Sequence, residues 1–157
     1  MNRKATFGAG CFWNVQFKFD KLDGVVETNV GYEGGDKINP TYEEVCSNHT
    51  KHIEVIEIVY DDDKIKYLDL LKLFFEIHDP TSVDRQGLDI GIQYRSVIFY
   101  HYEFQRKEAE KYILDMKHNK VYDYEVVTKV VLADKFYKAE EYHQKYLEKK
   151  GRTSCSI

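Results

Sequence analysis

The sequence predicts a two-layer α+β sandwich, with helices packed on a mixed β-sheet around a βαββαβ core. One observation is the order of hydrophobic patterns, which alternate between helical and strand periods as βα-β-β-α-β-α-β-α. Another is the mixture of short and long connections between these patterns. A third is the length of 157 residues without a repeat or a Ser/Gly-rich linker. That length favours a single domain over residues 1–157 with a sizeable core.

The first three elements are a strand, a helix and a strand. Residues 4–8 predict a short strand, which Gly8 and Gly10 end. Large apolar residues at helical spacing predict a helix over about 11–22. A second strand is predicted over about 25–31, before a glycine-rich turn.

The middle of the chain predicts two helical segments around a central strand. A short helical turn runs to about residue 46, with Thr41 as its expected N-cap and Glu44 at the capping-box spacing. Residues 52–60 are rich in β-branched side chains and predict a central strand. Residues 67–77 predict an apolar helix, and the side chains expected to face inward are Leu68, Leu71, Phe74 and Phe75.

The last third of the chain predicts two more helices and two more strands. In order, the elements are a loop over about 79–92, a strand over 94–100, a charged helix over 103–118, a strand over 124–132 and an amphipathic helix near 139–149.

The composition excludes several classes of protein. A net charge of −4 disfavours nucleic acid as the main partner, because phosphate binding needs a basic face. No run of 18 apolar residues and no apolar N-terminal segment is present, so we expect a cytoplasmic protein outside the membrane. Three cysteines are too few for a disulfide scaffold, and their odd number indicates a reducing compartment.

Cys11 stands at a position that favours reactivity. It follows a strand and two glycines and precedes a helix, where unpaired N–H groups stabilise a thiolate. A dinucleotide-binding loop would need a third glycine at position 13, which is Trp13. An isolated cysteine is more often a small buried apolar residue. Here Phe12 and Trp13 follow directly, and two aromatic rings beside a thiolate would form an apolar cradle for a methyl-bearing group.

Ten motifs follow one another over about residues 5–155, and in order and spacing they resemble the peptide methionine sulfoxide reductases of the A type. They are Gly10-Cys11-Phe12-Trp13, Gly31-Tyr32-Glu33-Gly34-Gly35, Asn39-Pro40-Thr41-Tyr42, Glu44-Val45-Cys46-Ser47, His52-Ile53-Glu54, His78-Asp79-Pro80, Asp84-Arg85-Gln86-Gly87, Asp89-Ile90-Gly91, Gln93-Tyr94-Arg95-Ser96 and Tyr142-His143-Gln144-Lys145-Tyr146-Leu147. We expect a ferredoxin-like βαββαβ core, an additional C-terminal helix and an irregular, flexible tail over about 150–157.

The resemblance implies the chemistry of the site. Cys11 would attack the sulfoxide sulfur, and Glu54 would protonate the leaving oxygen, with apolar strand neighbours raising its pKa. Tyr42 and Tyr94 would donate hydrogen bonds to that oxygen. Asp89 would orient Tyr94 or the cysteine. The less specific interpretations are a solvent-facing strand glutamate for Glu54 and a turn-capping aspartate for Asp89.

The resemblance also implies how the enzyme is recycled. Attack would leave a sulfenic acid on Cys11 and release methionine. Cys155 would then resolve it as a disulfide, which thioredoxin or another thiol reductant would reduce. A terminal thiol with no role is the alternative for Cys155. Departures from the family pattern, namely Asn14, Gln16, Lys51 and residues 151–154, leave the choice between thioredoxin and glutaredoxin open.

A metal site is the main alternative use of the remaining cysteine. Cys46, His49 and His52 lie at close spacing, but no fourth ligand is evident, and structural zinc takes four. We therefore expect no metal, flavin or nicotinamide, a structural role for a buried Cys46, and a packing or supporting role for His143.

We expect a monomeric reductase of the S epimer of methionine sulfoxide, free or in oxidised proteins, in which Phe12 and Trp13 hold the methyl group. A thiol redox sensor would use the same cysteine but would not require the glutamate and the two tyrosines. A cysteine hydrolase would need a general-base histidine beside Cys11, and no histidine is placed by motif to serve.

Overall fold

The computed structural model describes residues 1–152. Its eight strands are β1 (Asn2–Ala9), β2 (Val25–Glu33), β3 (Ile53–Asp61), β4 (Arg85–Gln86), β5 (Asp89–Ile90), β6 (Ser96–Tyr100), β7 (Lys129–Leu132) and β8 (Tyr137–Lys138). Its five α-helices are α1 (Phe12–Phe19), α2 (Tyr42–Cys46), α3 (Tyr67–Glu76), α4 (Glu103–His118) and α5 (Tyr146–Lys149). Two 3₁₀ turns lie at Ile92–Tyr94 and Glu141–His143.

Six of the strands form one mixed sheet in the order β7-β6-β1-β3-β2-β8. Neighbours are antiparallel except β6 and β7, which are parallel. The inner four strands, β6-β1-β3-β2, together with α1 and α3, form the predicted ferredoxin-like βαββαβ core. The predicted α+β sandwich is confirmed. Strands β4 and β5 form a separate small hairpin.

Aromatic rings join the sheet to the helices that cover it. Phe7, fully buried on β1, packs its ring against Phe19 of α1 at 5.6 Å and Phe74 of α3 at 5.0 Å between centroids. Burying a phenylalanine stabilises a fold by roughly 1.5–3 kcal/mol. This packing fixes α1, and therefore the turn that precedes it, against the centre of the sheet.

The prediction that Leu68 of α3 faces the core is wrong. Leu68 is 42% exposed, whereas Leu70 is fully buried. The buried stripe runs through Tyr67, Leu70 and Leu71 toward Phe74, at spacings of three and four residues. Leu68 lies about 100° from the centre of that stripe, on the solvent side.

The predicted helix near 139–149 is also wrong. It is replaced by a 3₁₀ turn and the short α5, separated by Lys145 in the left-handed region at φ 53°. The buried side chain of Gln144 accepts a hydrogen bond from Val30 N–H at 2.9 Å and donates one to Val30 C=O at 2.9 Å. Gln16 Oε1 accepts from Lys145 N–H at 2.6 Å. These bonds to β2 and α1 stabilise the break more than a continuous helix would.

Smaller differences concern lengths. Helix α1 ends at Phe19 and not near 22, and the strand predicted over 124–132 is confined to β7. The loop over 79–92 contains the β4–β5 hairpin. Helix α4 and the capping box of α2 are as predicted. Within residues 1–152, no helix combines the length and the apolar composition needed to cross a membrane.

Candidate active site

Cys11 lies where β1 turns into α1. Gly10 has φ +90°, and a Cβ there would come within 2.9 Å of the Gln86 side chain, so a glycine is required. Cys11 is half-buried and is the N-cap of α1. The first turn of α1, Phe12-Trp13-Asn14, carries no charged side chain. The backbone amides at this helix end therefore favour a negative charge at the thiol.

Glu54 is buried in β3 beside that helix end. Its side chain is 2% exposed, and its Oε1 accepts a hydrogen bond from Phe12 N–H at 3.2 Å. Its Oε2 has no hydrogen-bond partner among residues 1–152. Burial raises the pKa of Glu54 to about 8; the Phe12 bond opposes this shift and the Asp89 carboxylate adds to it. Glu54 therefore holds a proton at pH 7.

Tyr42 and Tyr94 bring two phenol groups to the same place. Tyr42 is the first residue of α2, and Tyr94 ends the 3₁₀ turn before β6. Burial raises the pKa of both hydroxyls, and the negative charge that Glu54 carries at alkaline pH raises each further. The charges of Asp89 and Cys11 also raise the pKa of Tyr94. Both residues therefore stay protonated and able to donate hydrogen bonds.

Asp89 lies on the β4–β5 hairpin, at the rim of a cleft. The cleft has a volume of about 660 Å³, and its lining includes Cys11, Asn14, His78, Gln86 and Asp89. Because Asp89 acts electrostatically on Glu54 and on Tyr94, it belongs to the same cluster. A hydrogen bond from Asp89 to Tyr94 or Cys11 stays a prediction.

Phe12 and Trp13 form an aromatic wall with two residues of the C-terminal segment. Trp13 stacks on Tyr146 at 3.9 Å and donates its indole N–H to His143 Nδ1 at 2.9 Å. Phe12 is buried, and its ring lies 5.1 Å from that of His143. The sequence predicted a packing or supporting role for His143 and assigned no role in the site to Tyr146. The available signal was the motif spanning residues 142–147, which brings these two side chains to the first turn of α1.

Because Nδ1 of His143 accepts the indole proton, the neutral ring carries its own proton on Nε2. That atom is buried and has no hydrogen-bond partner within residues 1–152. Burial lowers the pKa of His143, which keeps the ring neutral. His143 therefore supports the aromatic wall as a neutral residue, although it lies on a 3₁₀ turn and not on the predicted helix.

Of the other two cysteines, the structure describes only Cys46. Cys46 is half-buried and accepts a hydrogen bond from the Tyr42 hydroxyl, so it borders the site and is not the buried structural residue that was expected. Burial raises the pKa of its thiol. Cys155 lies outside the described residues.

The metal interpretation of Cys46, His49 and His52 meets a direct obstacle. Both ring nitrogens of His52 already have partners: Nδ1 accepts from Gly35 N–H at 3.0 Å, and Nε2 lies 2.7 Å from Lys37 C=O. A histidine in this state has no lone pair to offer a metal ion.

Comparison with known proteins gives one consistent answer. The family model described as peptide methionine sulfoxide reductase matches residues 3–157. The peptide methionine sulfoxide reductase MsrA of Methanothermobacter thermautotrophicus is 53% identical over 154 residues, which are 98% of this chain and 91% of that protein.

Two solved structures of Mxr1 from Saccharomyces cerevisiae are similar in fold. The reduced form has a TM-score of 0.89 and 33% identity, over 98% of this chain and 88% of that one. Mxr1 in complex with Trx2 has a TM-score of 0.65 and 26% identity, over 92% of this chain and 84% of that one.

Proposed function

The chain belongs to the peptide methionine sulfoxide reductases, and from that premise we propose that Cys11 and Glu54 carry out the reduction. The observation that carries the proposal is the buried Glu54 carboxyl, which accepts a hydrogen bond from the amide that follows Cys11 and whose pKa burial raises to about 8. A nucleophile and an acid thus share one helix end.

The reaction begins with attack of the Cys11 thiolate on the sulfoxide sulfur. A sulfur–sulfur bond forms, and Glu54 transfers its proton to the sulfoxide oxygen. The oxygen then moves to the sulfur of Cys11, and both the S–O bond of the substrate and the new sulfur–sulfur bond break. The products are a cysteine sulfenic acid and a thioether, so the methionine sulfur is reduced by two electrons and the cysteine sulfur is oxidised by two.

The two phenols and the aromatic wall supply binding. Tyr42 and Tyr94 donate hydrogen bonds to the sulfoxide oxygen, where negative charge develops during attack. Phe12 and Trp13 hold the methyl group. Asp89 orients Tyr94 or Cys11. The oxygen, the methyl group and the sulfur of the substrate are thus each held by a different group of side chains, so the site selects one epimer of the sulfoxide. The family resemblance implies that this is the S epimer, either free or in oxidised proteins.

Recycling uses Cys155. Its thiol attacks the Cys11 sulfenic acid, which forms a disulfide and releases water. A thioredoxin-like dithiol then exchanges with this disulfide and restores both thiols. Support comes from the similar structure of Mxr1, which was solved in complex with Trx2. We place the enzyme in the cytoplasm, because its odd number of cysteines suits a reducing compartment. We propose that it acts there as a monomer.

Glu54→Gln tests the proposal, because glutamine keeps the shape and the acceptor for Phe12 N–H but cannot supply a proton. We expect the single-turnover rate with pure methionine S-sulfoxide to fall on the order of 10²- to 10³-fold. The matched control is Glu57→Gln, which removes a half-buried carboxylate from the same strand and should keep the rate. A wild-type rate for Glu54→Gln, or equal turnover of the R epimer, would contradict the mechanism or the epimer assignment respectively.

A further inference from the structure

Glu140 is a half-buried carboxylate that the mechanism above does not use. It lies immediately before the 3₁₀ turn Glu141–His143. Each of its two oxygens accepts a hydrogen bond from a different part of the site: Oε2 from Tyr42 N–H at 2.9 Å, and Oε1 from the Tyr32 hydroxyl at 2.8 Å. Both partners are about 100 positions away in sequence. Glu140 is therefore fixed by the tertiary structure, unlike an ordinary surface glutamate, whose carboxylate contacts mainly water.

The bond to Tyr42 orients a helix with few other constraints. Helix α2 has five residues, and its own cap, Thr41 with Glu44, pairs the amides of those two residues. The N–H of the first residue of a helix has no partner inside the helix. Glu140 supplies that partner at Tyr42. It therefore fixes the position of the Tyr42 backbone, and through it the position of the Tyr42 hydroxyl.

The bond to Tyr32 connects the same carboxylate to the acid. Tyr32 is fully buried on β2 and lies opposite Glu54 in the β2–β3 register. Its ring also contacts that of Phe12 at 5.8 Å. One carboxylate therefore binds both Tyr42 and Tyr32, and Tyr32 is paired with Glu54 across the sheet. These contacts fix the distance between the Tyr42 phenol and the strand that carries Glu54.

We propose that Glu140 is a positioning residue of the sulfoxide site, which holds Tyr42 against the Glu54 strand through its two hydrogen bonds. This inference rests on the proposed role of Tyr42. Glu140 does not touch the substrate, and its effect on the reaction passes through the Tyr42 hydroxyl.

Three variants test the inference in single-turnover kinetics with methionine S-sulfoxide: Glu140→Ala, Tyr42→Phe and the double variant. Misplacement of a catalytic group by about 1 Å can cost up to 10²-fold in rate. We expect Glu140→Ala to lower kcat by on the order of 10-fold, with a smaller change in KM, because the Tyr42 hydrogen bond strengthens as charge develops on the oxygen. The double variant should be no slower than Tyr42→Phe, because the hydroxyl that Glu140 positions is already gone.

Glu140→Gln distinguishes geometry from charge. The glutamine oxygen accepts from Tyr42 N–H, and its amide donates to the Tyr32 oxygen, so kcat should stay within a few-fold of wild type. The matched control is Glu141→Ala, since Glu141 is the exposed neighbouring carboxylate.

The outcomes separate the two proposals. A wild-type kcat for Glu140→Ala, a double variant slower by the product of the single effects, or a Glu140→Gln as slow as Glu140→Ala would each overturn the positioning role. A wild-type rate for Tyr42→Phe would instead overturn the proposed role of Tyr42 itself.

Discussion

Glu54→Gln has a consequence for stability that is independent of activity. An acid whose pKa is raised on folding keeps its proton in the folded state after the unfolded chain has lost it. Its contribution to stability is fully present below pH 4.5, the ordinary pKa of a glutamate, and is lost as the pH rises to about 8. Glutamine does not titrate. The variant should therefore become progressively more stable than the wild type over this interval.

The pKa shift sets the size of the effect. A rise from 4.5 to about 8 corresponds to a loss of about 5 kcal/mol in the free energy of unfolding, at about 1.4 kcal/mol per pH unit. This is the upper end, since relaxation of the site around the carboxylate reduces it. A whole domain is stable by only about 5–15 kcal/mol, so the difference between the two proteins should be large at pH 8.

The assay is urea unfolding at a series of pH values from 4.5 to 9, with reductant, followed by the fluorescence of the single tryptophan, Trp13. The quantity measured is the stability of Glu54→Gln minus that of the wild type. Glu33→Gln is the matched control, because burial raises the pKa of Glu33 to about 7 and its effect should level off one pH unit earlier. A Glu54→Gln difference that stays constant from pH 4.5 to 9 would refute the assignment of a neutral, buried Glu54.

Two further predictions concern recycling and the C-terminal segment. Cys155→Ser should still release about one methionine per enzyme in a single turnover but should not turn over with thioredoxin, because attack precedes resolution. Counting the methionine released per enzyme checks this. Loss of the first burst of methionine would show that Cys155 acts in the chemical step. Gln144→Ala should cost about 1–3 kcal/mol in urea unfolding, because it leaves the buried Val30 N–H without its partner, whereas Val30 C=O still accepts from Ala139 N–H; a cost below about 1 kcal/mol would show that the break at Lys145 is held by other contacts.

Local sequence patterns predicted correctly those elements whose structure depends only on neighbouring residues. Helix α4 has the predicted bounds, and the Thr41–Glu44 capping box forms as expected, because both depend on neighbouring residues. The predicted helix near 139–149 fails because Gln144 bonds to a strand more than 100 positions away. Hydrophobic periodicity contains no information about such a bond.

The site shows the same division. Motif resemblance indicated Cys11, Glu54, Tyr42 and Tyr94, and the structure places them around one helix end. The partners that hold these residues lie far away in sequence, as Glu140 does for Tyr42 and His143 for Trp13. Glu140 was missed, and the supporting role expected of His143 was not connected to Trp13, because a supporting residue is defined by the atoms that it contacts in the folded protein.

The shared helix end explains why the nucleophile and the acid can work in sequence. Before the proposed attack, the negative charge lies on the Cys11 thiolate and Glu54 is neutral. After proton transfer, Cys11 is a neutral sulfenic acid and Glu54 is a carboxylate, which Phe12 N–H already contacts. The charge carried by this pair is the same at both stages, and the amides of α1 face it throughout. Asp89 opposes a second negative charge by raising the pKa of Glu54. The site is therefore arranged for one charge that moves from sulfur to oxygen, and the first amides of α1 need not reorganise during the reaction.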